Sequence, residues 1–457
     1  MKTQKIGEMY DKLVWYLLIW CVLQDIVLSM FLKISNMVSL TKIIFFCKDI
    51  LLIILFLWVI LKQKLPAKYM VGCIIYCAIL IIHTVTTLVR HDIVNITSFL
   101  SSVRGLILLP TLTVIGYGIY DKQKFLNKIK KYYYFLVIIA FVGLIEFICD
   151  RIVGTKTFWM DFLELEDYYV AIKGQPGGLE NGTPGNWYTD IGKGYRTQKR
   201  LISVWAAPLT AGFVLLLPSL YYTINFLKNR KISLLKFRKN YLIELIGLII
   251  CIIALILTFT RQTLLPYLAI AIFAVLYYNK KNRIIFASIG IFILLIAICI
   301  MQEKIIDYIY NGSTMVHIIR IKEALANINF WGSGIGSFGT RFQGSIATES
   351  QYITVIGQLG VLSIIPYVFI FLYPILYCKK KAKYVDDKAK PFIVSLCFSG
   401  LTFLAAGIVS ETVAAFTSIA QYYVLIGFAW GYCINIKETN YNEQSNQSDS
   451  NVSATIS

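Results

Sequence analysis

The chain has 457 residues, of which 57% are hydrophobic and 15% are charged, and its mean hydropathy is +0.67. A soluble domain carries about 25% charged residues, whereas the apolar residues here recur in blocks of about twenty, enough to span a ~30 Å hydrocarbon layer. This excludes a secreted globular protein, a cytosolic enzyme and a disordered scaffold. The net charge of +19 is explained by basic cytoplasmic loops, so no nucleic-acid partner is expected.

The apolar blocks predict an all-α integral membrane protein, with about 12 transmembrane helices in a single membrane domain over residues 1–437. The predicted helices, the second of which has an alternative start at 43, are 13–32, 50–61, 70–89, 99–120, 132–149, 201–227, 241–260, 263–278, 284–301, 351–377, 391–409 and 412–434. The first lacks a following cleavage site and is predicted to be a retained span. Residues 438–457 are polar and are predicted to form a disordered cytoplasmic tail.

The positions of Lys and Arg orient these helices. With the N-terminus inside, 27 of the 44 basic residues fall in inner segments, and every short inner loop is basic. Because short cytoplasmic loops retain positive charge, both termini are predicted to be cytoplasmic.

Two predicted outer loops, 150–200 and 302–350, are too long to be simple connections. The first is rich in glycine and contains Trp187; this composition suits a mobile lid with aromatic surfaces for sugars, with a plain exposed loop as the alternative. The second contains a predicted amphipathic helix, about 314–328, and the glycine-rich run Phe330–Gly339. This run has the spacing of a dinucleotide fingerprint but no βαβ context, so a tight turn is predicted instead.

Ionisable residues gather at the predicted outer side of the membrane. They are Arg104, Arg200, Arg261, Arg320, Arg341, Glu349 and Glu411. Charges inside a bilayer are costly and are therefore candidates for function, although interfacial snorkelling is the alternative for each one.

Arginine binds phosphate oxygens through a rigid fork and keeps its charge at low dielectric. We therefore expect Arg200, Arg261 and Arg320 to converge on one outer cavity that binds a lipid diphosphate. A carboxylate there could take the proton of an attacking sugar hydroxyl. Glu349 is the first candidate and Glu411 the second, and neither a metal nor another cofactor is expected.

Three motifs within residues 200–375 resemble those of the O-antigen polymerase and ligase superfamily. The similar segments are the Ser/Thr-Arg turn Thr258–Gln262, the helix with Arg320 and its following glycine turn Phe330–Phe338, and the closing motif Glu349–Tyr352 with Gly357–Gly360. Ligases of this superfamily carry His where this chain has Glu349, so the resemblance favours the polymerase branch. His317 could replace that His in space, so a ligase-type glycan transferase is an alternative.

The resemblance implies a metal-independent, GT-C-like glycosyltransferase of the bacterial plasma membrane. Its substrates would be undecaprenyl-diphosphate-linked oligosaccharides in membrane lipid, and its product O-antigen, capsule or exopolysaccharide. A flippase and a chain-length regulator would be its protein partners. The candidate catalytic residues are Glu349, Glu411 and His317, and the candidate substrate-binding residues are Arg200, Arg261, Arg320, Arg104, Arg341, Gln262, Tyr352 and Trp187.

Two other classes fit parts of the pattern. A flippase for the same lipid-linked oligosaccharide would place charges along a cavity at mid-bilayer, where Asp25 is the clearest candidate. A membrane acyltransferase would usually need an intramembrane His, for which His83 is the candidate.

Overall fold

The fold is taken from a computed structural model of the chain. It describes residues 2–90, 96–153, 157–172, 179–180, 183–184, 187–189, 198–233, 239–278, 313–339, 346–411 and 415–454.

Helices dominate the described part of the chain. They are α1 (Lys2–Ser35), α2 (Val38–Lys62), α3 (Ala67–Val89), α4 (Ile96–Tyr117), α5 (Lys122–Val153), α6 (Leu165–Ala171), α7 (Pro208–Ser233), α8 (Lys239–Leu257), α9 (Arg261–Tyr278), α10 (Ser313–Ala326), α11 (Gln351–Leu359), α12 (Ile364–Lys381), α13 (Lys390–Ala406) and α14 (Phe416–Ala454). Short helical turns cover Thr157–Phe162, Ser203–Trp205 and Val361–Ser363. Four two-residue strands form two antiparallel pairs, β1 (Leu179–Glu180) with β2 (Thr183–Pro184) and β3 (Tyr188–Thr189) with β4 (Gln198–Lys199).

Six described helices are long and apolar enough to cross a membrane. They are Gln4–Ser35, Val38–Lys62, Ala67–Val89, Phe99–Tyr117, Pro208–Lys228 and Val361–Lys381, and three shorter apolar helices are Leu242–Leu257, Arg261–Ala274 and Lys390–Ala406. The chain is therefore a helical, multi-pass membrane protein. Of the other predicted spans, 132–149 lies within α5, 412–434 largely within α14, and 284–301 outside the described residues.

The centre of the bundle is a close crossing of α4 and α14. Glycines on both helices allow their backbones to touch, since a Cβ at Gly116 would collide with the carbonyl of Val424, and one at Gly427 with that of Thr113. Small residues at such crossings let helices gain contact area where lipid supplies no hydrophobic driving force.

Polar contacts define two opposite ends of this bundle. At one end, called the Asp11 end, the Asp11 carboxylate accepts hydrogen bonds from the backbone of Tyr120 and Asp121 at 2.7 and 2.9 Å. Lys228 pairs there with Asp387 at 3.0 Å. The opposite end is called the Glu411 end. It contains residues of the two loops, 150–200 and 302–350, that the positions of Lys and Arg predict to lie outside.

The predicted continuous helix 351–377 is wrong, because Gly360 divides it into α11 and α12. Gly360 has φ +83°, and a Cβ there would meet the backbone of Phe330 and Trp331 at 2.8 Å. The glycine-rich run Phe330–Gly339 therefore packs against Gly360, where the helix is interrupted. α11 becomes a separate, largely buried half-helix at the Glu411 end.

The last helix, α14, continues beyond residue 434, where the last predicted span ends. α14 extends to Ala454, through most of the segment predicted to be a disordered tail. No Gly or Pro follows Gly431 to end the helix.

Candidate functional site

Arg200 is fixed in place at the Glu411 end. Its Nε donates to the carbonyl of Thr258 at 2.8 Å, and its Nη2 donates to Oγ1 of Thr260 at 3.0 Å. Burial and, next, the neighbouring Arg261 guanidinium lower the pKa of Arg200 to about 10. Arg200 therefore remains a cation at neutral pH and lies within electrostatic range of Arg261.

The turn between α8 and α9 positions both arginines. Oγ1 of Thr260 donates to the carbonyl of Pro208 at 3.1 Å, which ties the turn to the start of α7. Arg261 is the first residue of α9 and is exposed, next to the half-buried Gln262. The backbone next to Arg261 is thus held by the contacts of Thr260 with Arg200 and with Pro208.

The connection between α13 and α14 passes next to this turn. Nε2 of Gln262 donates to the carbonyl of Val409 at 3.3 Å. From α11, the backbone N–H of Gln351 donates to the carbonyl of Gly407 at 2.9 Å, and Oγ of Ser350 donates to the same oxygen at 3.3 Å. Residues 407–411 therefore link the arginine turn to α11.

Both candidate carboxylates lie beside α11. Glu411 is only 4% exposed and accepts a hydrogen bond from Oγ1 of Thr354 at 2.6 Å. Glu349, one residue before the N-cap Ser350, pairs with Arg320 of α10 at 2.9 Å. This ion pair is about one-third exposed.

Contacts thus connect most of the predicted site residues. They run from Arg200 and Arg261 through Gln262 to the 407–411 connection, and then through α11 to Glu349 and Arg320. Arg320 reaches this network as the ion-pair partner of Glu349, whereas Arg200 bonds Thr260, the residue before Arg261.

The glycine-rich run forms a tight turn around the end of α11, as predicted. The backbone N–H groups of Ser333 and Gly334 donate to the carbonyls of Gly357 and Gln358 at 2.8 and 3.2 Å. These bonds satisfy carbonyls that the helix break would otherwise leave without partners. In addition, the N–H of Ile335 donates to Oγ1 of Thr87 on α3 at 3.0 Å, so the turn also fixes α11 to α3.

Other predicted site residues lie differently. Trp187 is not an open surface for stacking sugars: it is 1% exposed, and its indole N–H donates to the carbonyl of Ala206 at 3.1 Å. The burial of its large ring in a second apolar core explains the correction. Arg104 pairs with Asp49 of α2 at 3.6 Å. This ion pair joins α4 to α2.

The hydroxyl of Tyr352 donates to the carbonyl of Leu404 at 2.5 Å, which braces α11 against α13. His317 lies on α10, one turn before Arg320. Arg341 lies outside the described residues.

A buried ion network that was not predicted from the sequence lies beside Arg200. Lys199 pairs with Glu146 at 2.9 Å and with Asp150, and all three side chains are 7% exposed or less. The available signal was the spacing of Glu146 and Asp150, which puts two carboxylates on one face of α5. The network holds the backbone immediately before Arg200.

Comparison of this chain with protein-family models, curated proteins and solved structures gave no match.

Proposed function

We propose that the protein is a polysaccharide polymerase that transfers a growing undecaprenyl-diphosphate-linked glycan onto a lipid-linked repeat unit. The reaction takes place at the outer face of a bacterial plasma membrane, and the Glu411 end of the bundle faces outward. The observation that carries the proposal is that Arg200 bonds Thr260, the residue before Arg261, in the same polar end as Glu349 and Glu411. The products are O-antigen, capsule or exopolysaccharide.

Two neighbouring guanidiniums suit a diphosphate. Each guanidinium presents a planar fork of N–H donors to phosphate oxygens, and like charges held close together are stabilised by a bound anion. Arg200 is fixed through Thr258 and Thr260, so its contribution to binding needs little reorganisation. Preorganised cations of this kind stabilise charge that develops on a leaving group.

The chemistry needs only groups that this end of the bundle supplies. An acceptor hydroxyl attacks the anomeric carbon of the donor glycan, and its proton passes to a carboxylate. The bond between the anomeric carbon and the diphosphate oxygen breaks, and its electron pair leaves with the undecaprenyl diphosphate. Arg200 and Arg261 neutralise the charge on that leaving group.

Motif resemblance supports the polymerase branch. The Thr258–Gln262 turn, the Arg320 helix and the Glu349 motif resemble the superfamily in order and spacing. All three meet through the contacts around α11. Glu349 at the position of the ligase His favours a polymerase over a ligase.

The test is a transfer assay with purified protein in lipid vesicles and lipid-linked repeat units. A polymerase produces a ladder of chain lengths, whereas a ligase-type transferase moves a finished glycan to a different acceptor. Movement of the substrate across the bilayer without new glycosidic bonds would contradict the proposal and identify a flippase instead.

A further inference from the structure

Helix α11 carries a stripe of polar residues that is wholly buried. Ser350, Thr354 and Gln358 are spaced four residues apart and so lie along one side of the helix and its N-cap. They are 2%, 0% and 0% exposed. Ser350 and Gln358 donate to the carbonyls of Gly407 and Phe338, at 3.3 and 2.6 Å. Buried polar groups are costly unless bonded, so the stripe holds α11 against both neighbouring segments.

Thr354 is the member of this stripe that binds an ionisable side chain. Its Oγ1 lies 2.6 Å from Oε1 of Glu411, a length typical of a hydroxyl that donates to a carboxylate. The backbone around Glu411 is also held, because Gly407 and Val409 accept hydrogen bonds from Gln351 and Gln262. Both the main chain and the carboxylate of Glu411 are therefore oriented before substrate binds.

Glu349 and Glu411 differ in the hydrogen-bond partner described for each. Glu349 forms an ion pair with Arg320 at 2.9 Å, and protonation of Glu349 would weaken that pair. Glu411 accepts from the neutral hydroxyl of Thr354, and a protonated carboxyl group can still accept a hydrogen bond from that hydroxyl. Glu411 is also the last residue of the 407–411 connection. Within that connection, the carbonyl of Val409 accepts a hydrogen bond from Gln262, the residue after Arg261.

We propose that Glu411 accepts the proton of the acceptor hydroxyl and that Thr354 is the positioning residue that orients its carboxylate. This inference rests on the proposed polymerase function. As the hydroxyl oxygen bonds to the anomeric carbon, its O–H bond breaks and the proton moves to the carboxylate of Glu411. The electron pair of the breaking carbon–oxygen bond leaves on the diphosphate, and Glu411 later returns its proton to solvent.

The first test compares Thr354→Val with Thr354→Ser. Valine keeps the shape but removes the hydroxyl, so kcat should fall about 10- to 100-fold, as expected for losing a hydrogen bond to a charged group. KM for the lipid-linked acceptor should change by less than about twofold, because the lost interaction orients the base rather than binds substrate. Thr354→Ser restores the hydroxyl and should return kcat toward the parental value.

Thr402→Val is the matched control. Thr402 is 1% exposed, and its hydroxyl bonds the carbonyl of Phe398 in its own helix at 3.2 Å, so this substitution should leave kcat unchanged. Glu411→Asp is a second probe, since it withdraws the carboxylate from Thr354 and should lower kcat by a similar factor. Glu411→Asp replaces Thr354→Val in this test if size-exclusion chromatography shows that the Thr354→Val protein is not folded.

The second test asks whether Thr354 acts through Glu411. Glu411→Gln should abolish polymer formation, whereas Glu349→Gln should reduce it only several-fold. In the Glu411→Asp background, which keeps measurable activity, Thr354→Val should lower kcat by less than about twofold. Parental kcat in Thr354→Val, or polymer from Glu411→Gln but none from Glu349→Gln, would overturn the inference and leave the polymerase function standing. A parental protein that forms no glycosidic bond would overturn the proposed function itself, and this inference with it.

Discussion

The guanidinium group of Arg261, and not only its positive charge, should be important for glycan transfer. Arg261 is the first residue of α9 and directly follows Thr260, which bonds both Arg200 and the carbonyl of Pro208. Arg261→Lys keeps the charge but loses the bidentate fork, so the rate of glycan transfer should fall at least about tenfold, as expected for losing one charge-assisted hydrogen bond. The measurement is transfer from lipid-linked donor by purified protein.

Arg151→Lys is the control for this substitution. Arg151 lies on α5 and its guanidinium is 5.2 Å from the centre of the Phe147 ring, outside the contact network of the site. Its transfer rate should equal that of the parental protein. Equal rates for both lysine variants would remove Arg261 from the proposed diphosphate site.

Among the lysines that form ion pairs in the described residues, Lys199 should contribute most to the stability of the fold. It is 3% exposed between Glu146 and Asp150, and Lys199→Met would leave two buried carboxylates without their cation. Breaking a buried ion pair from one side costs about 3–5 kcal/mol. We expect a markedly lower midpoint of thermal unfolding in detergent, measured by loss of the monodisperse peak on size exclusion.

Lys228→Met provides the comparison at the other end of the bundle. Its partner Asp387 is 88% exposed, and exposed ion pairs contribute about 0–1 kcal/mol. The unfolding midpoint of Lys228→Met should therefore stay close to the parental one. If both variants unfold at the same temperature, the Lys199 network does not stabilise the bundle.

At the scale of elements, the crossing of α4 and α14 is the contact least tolerant of added volume. A Cβ at Gly427 would collide with the backbone carbonyl of Thr113, which no side-chain rotation can relieve. Gly427→Ala should destabilise the protein by about 1–3 kcal/mol, the usual cost of overpacking. The same thermal assay in detergent measures it.

Gly247 on α8 offers a helical glycine with space around it. A Cβ there would lie 3.4 Å from its nearest neighbour, a methyl group of Val137, which is ordinary contact. Because Ala has a higher helix propensity than Gly by about 1 kcal/mol, Gly247→Ala should keep or raise the unfolding temperature. Loss of stability in Gly247→Ala as large as in Gly427→Ala would contradict the crossing argument.

At the scale of the whole molecule, the proposed orientation can be tested from outside intact cells. Trp331 is 73% exposed near the Glu411 end, and Tyr384 is 57% exposed near the Asp11 end. A membrane-impermeant thiol reagent should label Trp331→Cys in intact cells and Tyr384→Cys only after permeabilisation. The parental chain, with its ten native cysteines, provides the background; the reverse labelling pattern would place the proposed site on the wrong side.

Local sequence signals predicted those features that neighbouring residues decide. The helix expected at about 314–328 is α10, Ser313–Ala326, because an amphipathic repeat and helix-forming residues act within a few turns. The break at Gly360 was not predicted, since a glycine inside an apolar run is compatible with a membrane helix. The backbone of Phe330 and Trp331, from a distant part of the chain, leaves no room for a Cβ there.

The sequence by itself determined that this is a helical multi-pass membrane protein. A bilayer leaves backbone groups no partner except within helices or closed barrels, so long apolar blocks are sufficient to define the class. Only the tertiary structure decided which charges meet. Arg320 pairs with Glu349, 29 residues away, and Lys199 with Glu146, 53 residues away. Such pairings depend on how helices from separate parts of the chain pack, and no local pattern encodes that packing.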